Sequence, residues 1–382
     1  TGTGAGNVTF QGAIETNGSD NDILTVTSGT GTVTFTGAIG ATEELGGLNV
    51  NASSGNGVIT FTSTIGDSDN AGVIGTTSIG NAATSDLNFN STIYKFDGAT
   101  TITAASGDTI DMGAGAATTF TTAADNITFA TGNIELANGS NLTVDTGAAG
   151  GNITIGEIGG TSVETVTLDA GTGTTSVGVI GSGTEIGALS IGSAENGGIT
   201  LNGAITTDGV VTLDGPITLA TGAITITTAD DAINLQGTVD GGQALTLSSG
   251  SAAVTADGAI GSSTALTSLT VNSSGAGTIE IADIGTSSAA GVSGATAIGN
   301  TSTGTLTLDG TVYTTTGSQT YTAATGGGNI DITNTAGTTF TTTNTAIAFN
   351  TSGVDLANNA TTTIDTGTGA GNVTFQGAIE TN

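Results

Sequence analysis

The sequence predicts an all-β chain that folds as an elongated β-solenoid. Three observations lead to this prediction. The composition is rich in Gly and β-branched residues, repeats occur on several length scales, and apolar residues alternate with Thr in short segments. Tandem β-sandwich domains are the alternative architecture.

Composition limits the shape of the hydrophobic core. Of the 382 residues, 66 are Gly, one is Pro, and none is Cys or Trp. Val, Ile and Thr favour strands because their branched Cβ packs well on a pleated surface. Aromatic residues make up only 3% of the chain, which is too few for a wide globular interior. We therefore expect almost no helix and a narrow, mainly aliphatic core.

Internal repetition is the strongest signal for a repeat architecture. Residues 1–17 and 366–382 are identical, at an offset of 366 − 1 = 365 residues. We therefore interpret 1–382 as one continuous repetitive β region, consisting of a 365-residue unit and a 17-residue overlap with the next unit. A more diverged internal repeat relates 50–158 to 270–378.

Short repeated motifs indicate the local structure. A longer motif that begins with Gly-x-Ile-Gly occurs three times, at 37–50, 178–191 and 258–271, and we expect its Ile39, Ile180 and Ile260 to point inward at equivalent positions. Segments such as 32–35 and 165–168 alternate Thr with apolar residues, which predicts one buried face and one hydroxyl-lined face. Two strands per turn would give a rung, meaning one full turn of the solenoid, of about 20 or about 24 residues and a rise of about 4.8 Å.

The same sequence bears on the choice between solenoid and sandwich. Pro216 is the single proline, so no Pro-marked linkers separate domains, and no Trp or Cys pair is present to mark a sandwich core. These features favour the solenoid. The segment 25–34 also fits a β-hairpin, which keeps the sandwich alternative open.

Charge excludes several classes of partner. The chain carries 32 acidic residues against one basic residue, a formal charge of −31. Such a surface cannot neutralise phosphates, so nucleic acid and anionic membranes are excluded as partners. No apolar run is long enough to span a bilayer. The acidic surface needs screening by salt or by divalent cations.

Residue types also argue against catalysis. Enzymes built on parallel β-helices combine carboxylates with Arg, Lys or His, which tune pKa values and neutralise developing charge. This chain has no His, and Lys95 is its one basic residue. We predict that the chain is not an enzyme, has no catalytic or cofactor-binding residues and requires no cofactor.

Two acidic loops are candidates for calcium binding. Asp20 and Asp22 lie in one loop, and Asp67 and Asp69 lie in another, at the alternate spacing that supplies hard oxygen ligands to Ca²⁺. Neither loop matches a complete EF-hand. The competing interpretation is a turn in which Asp and Asn bond their own backbone.

Threonine pairs suggest a further surface property. The segments 25–27, 101–103 and 225–227 have Thr on both sides of an apolar residue and resemble the ladders of ice-binding solenoids. Thr is also a good uncharged residue for any exposed strand face. Binding of ice or another surface is therefore the lesser alternative.

The motifs resemble a known class of protein. The three Gly-x-Ile-Gly segments and the repeated Gly-Asn-(Ile/Val)-Thr strands at 6–10 and 151–155 are similar to strand repeats of giant bacterial surface proteins of the filamentous-haemagglutinin and autotransporter adhesin types. The resemblance implies a secreted, right-handed parallel β-helix at the cell surface or outside the cell. It would act as a structural fibre, stalk or biofilm matrix filament, or alternatively as the shaft of an adhesin. The implied partners are neighbouring repeat units and other copies in fibres or bundles, with polysaccharide or a cell surface as further candidates.

Overall fold

The prediction of an all-β solenoid is confirmed by the computed structural model, which describes residues 4–18, 22–51, 54–192, 197–351 and 353–381. Every regular element in these ranges is a strand, and parallel sheets stack as a β-solenoid of about 15 turns. The chain divides into two compact units, Thr1–Ile199 (unit 1) and Thr200–Asn382 (unit 2).

In unit 1, strands of successive rungs pair in parallel and form three stacks, each named here after one of its strands. The β7 stack contains β1 Val8–Phe10, β3 Val33–Phe35, β5 Ile59–Phe61, β7 Leu87–Phe89, β10 Thr109–Met112 and the second halves of β12 Ile127–Leu136, β14 Ile153–Gly159 and β16 Thr174–Ile180. The β8 stack contains β8 Ile93–Lys95, β11 Thr118–Thr121, β13 Leu142–Asp145, β15 Thr165–Asp169, β17 Ala188–Ile191 and the bridging residues Ile14, Ile39 and Ile65. The β9 stack contains β2 Ile23–Val26, β4 Gly47–Val50, β6 Thr77–Gly80, β9 Thr100–Thr103 and the first halves of β12, β14 and β16.

Unit 2 has three stacks of the same kind, and β18 Gly198–Leu201 lies at the boundary between the units in the sequence. The β30 stack contains β20 Val211–Leu213, β23 Ile233–Leu235, β26 Val254–Ala256, β28 Ile279–Ile281, β30 Leu306–Leu308, β33 Ile330–Ile332, β36 Gly353–Leu356 and β39 Ala378–Thr381. The β31 stack contains β21 Ile217–Leu219, β24 Val239–Asp240, β31 Val312–Thr314, β34 Thr338–Thr341, β37 Thr362–Asp365 and the bridging residues Ile260 and Ile284. The β32 stack contains β19 Ile205–Thr207, β22 Ile224–Thr228, β25 Ala244–Ser248, β27 Ser268–Asn272, β29 Thr296–Ile298, β32 Gln319–Thr322, β35 Ile347–Asn350 and β38 Val373–Phe375.

A rung therefore contains three strand positions, and the prediction of two strands per rung was wrong. Most strands are only three or four residues long, so three strands and their Gly-rich corners fit into a length that was assigned to two. The rung length also varies. In unit 1 it ranges from 22 residues between Ile153 and Thr175 to 29 residues between Leu48 and Thr77.

The core follows from the alternation of Thr with apolar residues. In β3, the exposed fraction is 0% for Val33 and 1% for Phe35, whereas Thr34 between them is only half-buried. Because successive side chains of a strand point to opposite faces, parallel in-register pairing places like residues above one another. Phe35 and Phe61 stack with ring centroids 4.9 Å apart, close to the predicted rise per rung.

The three Gly-x-Ile-Gly motifs only partly match their prediction. Ile39, Ile180 and Ile260 are all fully buried, as expected. However, Ile39 bridges Ile14 and Ile65 in the β8 stack, whereas Ile180 pairs with Ile158 in the β7 stack. The prediction of equivalent positions was wrong because a buried Ile between two corner glycines fits more than one face of the rung.

The internal repeat of offset about 220 has matching geometry in the two units. Tyr94 stacks on Phe120 at 4.8 Å, and its hydroxyl accepts a hydrogen bond from the Ser91 amide. Tyr313 stacks on Phe340 at 4.9 Å, and its hydroxyl accepts a hydrogen bond from the Gly310 amide. Each unit can therefore serve as an internal comparison for the other.

Candidate functional site

The most distinctive surface feature of unit 1 is a groove of about 650 Å³ around Lys95. Lys95 ends β8, and the loop 66–72 beside it follows the buried bridge residue Ile65. The charged residues that line this groove, named here the Lys95 groove, are Glu44, Asp67, Asp69, Lys95 and Asp97. It brings together the single basic residue of the chain and one of the two loops predicted to bind Ca²⁺.

Asp67 organises the loop beside Lys95. One carboxylate oxygen, Oδ1, accepts hydrogen bonds from the backbone amides of Asp69 at 2.8 Å and Asn70 at 2.7 Å. Lys95 Nζ donates to the backbone oxygen of Ser68 at 3.0 Å. The two amide bonds, and to a lesser extent the charge of Lys95, hold the pKa of Asp67 below its ordinary value. The loop has the Asx-turn geometry that was the competing interpretation of this segment.

Unit 2 contains the same loop without its charges. Thr286 takes the place of Asp67, and its Oγ1 accepts hydrogen bonds from the amides of Ser288 at 3.3 Å and Ala289 at 3.0 Å. Thr314 takes the place of Lys95. The acidic loop and the lysine are present together in one unit and absent together in the other. This pattern indicates that Lys95 offsets the negative charge of its own loop.

Exchange of Asp67 for Thr should therefore leave the stability of the protein nearly unchanged, whereas Asp67→Ala should lower it. A Thr hydroxyl can accept the same two amide bonds, as Thr286 does, but an Ala side chain leaves both amides without their acceptor. The urea midpoint of unfolding measures the difference. Equal midpoints for the Ala and Thr variants would contradict this account of the loop.

The structure describes three of the four predicted Ca²⁺ ligands. Asp20 lies outside the described residues, Asp22 is exposed, and Asp69 is exposed beside the Asp67 turn. Within the described ranges, no group of three or more His, Cys, Asp or Glu side chains could hold a metal ion. Calcium binding by Asp20, Asp22, Asp67 and Asp69 stays a prediction.

A row of carboxylates follows the β7 stack. Asp111 pairs directly with Glu135 on the next rung, and Asp86 and Glu157 lie close on either side. Partial burial, followed by the neighbouring charges, raises the pKa of both Asp111 and Glu135. The parallel register thus places like charges next to one another, which disfavours their ionised forms.

Glu164 differs from Asp111 and Glu135 because its pKa is lowered, and the sequence did not identify it as a candidate. It is fully buried in unit 1. Its carboxylate accepts hydrogen bonds from the amide and hydroxyl of Thr161, both at 2.6 Å, and from the Gly139 amide at 3.1 Å. Burial opposes ionisation, but these bonds outweigh it and lower the pKa of Glu164. The carboxylate ties one rung to the corner of the rung before it.

Substitution of these two glutamates should change the pH dependence of stability in opposite directions. The raised pKa of Glu135 means that its ionisation opposes folding as pH rises from the ordinary Glu value through the folded pKa. Glu135→Gln should therefore increase stability at pH 7. The lowered pKa of Glu164 means that its contribution is present at neutral pH and is lost as pH falls through the folded pKa.

Glu164→Gln should accordingly lower the free energy of unfolding at pH 7 by about 1–2 kcal/mol, because charge-assisted hydrogen bonds are lost. Urea unfolding of both variants from pH 3 to pH 7 provides the measurement. A stabilising Glu164→Gln, or a destabilising Glu135→Gln at pH 7, would show that the environments of these groups are wrongly assigned.

Threonine columns on the β9 stack bear on the ice-binding alternative. Thr101 pairs with Thr128, and Thr128 pairs with Thr154 on the following rung. Toward the N-terminus, the same column continues through Ser78 to Asn49. A flat array needs the same side chain on every rung. The interrupted column is typical of a solvated strand face.

Comparisons with protein-family models, with curated proteins and with solved structures find no match to this chain. None of the described segments forms a helix that is long and apolar enough to cross a membrane. The fold and the internal comparison between units therefore carry the functional argument.

Proposed function

We propose that this chain is a non-enzymatic structural segment of an extracellular fibre, stalk or matrix filament. One observation carries the proposal: in each unit, three parallel stacks run from rung to rung around a buried apolar core, with residues such as Ile39 and Ile260 fully buried. A stack of this kind grows by adding rungs, and backbone hydrogen bonds cross every boundary between rungs. Such a construction suits a protein whose role is to span distance.

The shaft of an adhesin is the alternative form of the same role. The resemblance of the Gly-x-Ile-Gly segments and Gly-Asn-x-Thr strands to adhesin repeats supports it. In that case recognition of a polysaccharide or a cell surface would belong to another part of the protein. The two forms differ in whether a non-repetitive domain is attached to the repeats.

Absence of enzymatic activity is part of the proposal, and the charge distribution supports it. The one basic residue, Lys95, donates to the backbone of Ser68 within an acidic loop. A cation engaged in this way supports the loop, which is a structural task. The low content of basic residues also leaves little to stabilise developing negative charge.

Immunoelectron microscopy of intact producing cells tests the proposal. Antibodies raised against the chain should label filaments or stalks outside the cell without permeabilisation. Labelling that appears only after permeabilisation would overturn the extracellular role. Labelling concentrated on short projections with a distinct tip would favour the adhesin shaft.

We also propose that divalent cations stabilise or bundle the fibre. The support is the net charge of −31 and the direct pairing of carboxylates such as Asp111 with Glu135 and Asp331 with Asp355. At physiological salt the Debye length is about 8 Å, so charges one rung apart are only partly screened. Thermal unfolding and light scattering in EDTA, then in Ca²⁺ or Mg²⁺ at matched ionic strength, should show a higher midpoint and more scattering with the divalent ion. Identical curves would refute the idea.

A further inference from the structure

We propose that the edge formed by β37, β38 and β39 receives the rung 22–46 of a following copy of this chain, joined directly after residue 382, so that the solenoid continues from copy to copy without a linker. This inference rests on the proposed role as a repetitive fibre and specifies how one repeat meets the next. The junction is called the seam below.

The first argument is that the same strand occurs twice with complementary neighbours. Residues 1–17 and 366–382 are identical, so β1 Val8–Phe10 and β38 Val373–Phe375 have the same sequence. β1 pairs with the rung after it, Val33–Phe35, whereas β38 pairs with the rung before it, Ile347–Phe349. Taken together, the two copies of one strand have a partner on each side, as strands inside a stack do.

The aromatic packing agrees with this register. Phe375 stacks on Phe349 at 4.8 Å with an interplanar angle of 6°. Phe10, the identical residue, stacks on Phe35 at 4.9 Å with an angle of 2°. If Phe375 also occupies the position that Phe10 has below Phe35, a following copy extends the ring stack without a change of spacing.

The second argument is the exposure of core-type residues at this edge. Val373 is 44% exposed and Ile379 is 52% exposed. Their counterparts on the preceding rung, Ile347 and Val354, are fully buried. An edge strand with exposed apolar residues and unpaired backbone groups is a template for another strand. The rung of a following copy would cover both residues, with Ile39 of that copy over Ile379, as Ile39 lies over Ile14.

The third argument comes from polar groups that act across rungs. The carboxylate of Glu15 accepts hydrogen bonds from the amides of Thr42 at 3.1 Å and Glu43 at 2.9 Å. Glu380 is the identical residue at the edge of unit 2, and it is exposed there. At the seam, the Glu380 carboxylate would accept the same two amides from the following copy. The identical segment thus supplies a backbone register, a ring stack and a carboxylate cap.

Disulfide trapping in a tandem chain tests the seam. The tandem chain repeats residues 18–382 directly after residue 382, and it contains no native cysteine. Thr374→Cys in the first copy should form a disulfide with Thr34→Cys in the second copy, because in-register neighbours of parallel strands fall within the Cα separation that a disulfide bridges. Mobility on non-reducing gels and mass spectrometry of the linked peptides measure its formation.

Two matched pairs control this experiment. Thr9→Cys with Thr34→Cys in the single chain occupies the same pair of positions within unit 1, and it should close to the same extent. Thr374→Cys with Thr60→Cys of the second copy is one rung too far apart and should not close. Closure of the Thr9 pair without closure of the seam pair overturns the proposal.

A second measurement does not depend on cysteine chemistry. Glu380→Gln should lower the thermal midpoint of the tandem chain by about as much as Glu15→Gln lowers that of the single chain. It should leave the midpoint of the single chain unchanged, because the Glu380 carboxylate is exposed there. An unchanged midpoint in the tandem chain overturns the seam.

Failure of the seam and failure of the proposed function are distinguishable. Without the seam disulfide, tandem copies could still be joined by flexible connections and still label as extracellular filaments. With the seam disulfide but with labelling only inside permeabilised cells, the register of the junction stands and the extracellular role falls.

Discussion

Phe61→Ala should lower the free energy of unfolding by about 3–5 kcal/mol, the range for deletion of a buried aromatic side chain. Phe61 is 1% exposed and lies between Phe35 at 4.9 Å and Phe89 at 5.3 Å, with both rings nearly parallel to its own. Close packing along the stack leaves little room for these neighbours to collapse into the space. Urea unfolding followed by circular dichroism measures the loss.

Position within the stack supplies the control for Phe61→Ala. Phe10 has the same side chain and stacks on Phe35, but it is only half-buried. Phe10→Ala should therefore cost less than about half as much, since the free energy lost follows the buried apolar area. Phe61→Leu should cost less than Phe61→Ala, because it restores most of the lost volume but not the ring stacking, which contributes about 0.5–1.5 kcal/mol. Equal losses for Phe10→Ala and Phe61→Ala would contradict a core that is continuous between rungs.

The sequence predicted the fold class because apolar residues alternate with Thr in many short strands, such as β3 and β15, and the apolar positions are the buried ones. It predicted that Ile39 and Ile260 point inward, which is confirmed. It did not predict three strands per rung, nor that Ile180 lies in a different stack from Ile39. Glycine-rich corners have similar sequences on every side of a rung, so the local sequence does not identify which corner it forms.

The candidate site was predictable only where its contacts are local. The Asp67 turn is closed by residues two and three positions away, and this spacing is visible in the sequence. Glu164 and Gly139 are 25 residues apart, and only the stacking of rungs brings them together. The same holds for Gln319 in unit 2, which is fully buried and donates to the backbone oxygen of Thr341. Residue spacing alone cannot identify such partners while the rung length varies.

Gly40→Ala should cost roughly 3 kcal/mol or more, for two reasons that add. Gly40 has a φ of +63°, in the left-handed region that disfavours residues with a Cβ. An added Cβ would also overlap the backbone oxygen of Gly72, so the corner would have to move apart. Gly261 has the same geometry in unit 2, with a φ of +70° and the Gly291 oxygen in the corresponding place. Gly261→Ala should show a similar loss in urea unfolding.

Gly156→Ala is the matched control for the two corner glycines. Gly156 lies in β14 without a positive φ, and an added Cβ there would meet nothing within 4 Å. This substitution should be neutral or should stabilise the protein by about 0.4–1 kcal/mol, because Ala restricts the unfolded chain. The Gly40→Ala and Gly156→Ala variants could instead unfold at the same urea concentration. In that case the close approach of backbones at the Gly40 corner does not restrict which residue can occupy position 40. A loss confined to Gly40→Ala and Gly261→Ala would show that the Gly-x-Ile-Gly corners, more than glycine content in general, hold successive rungs at their spacing.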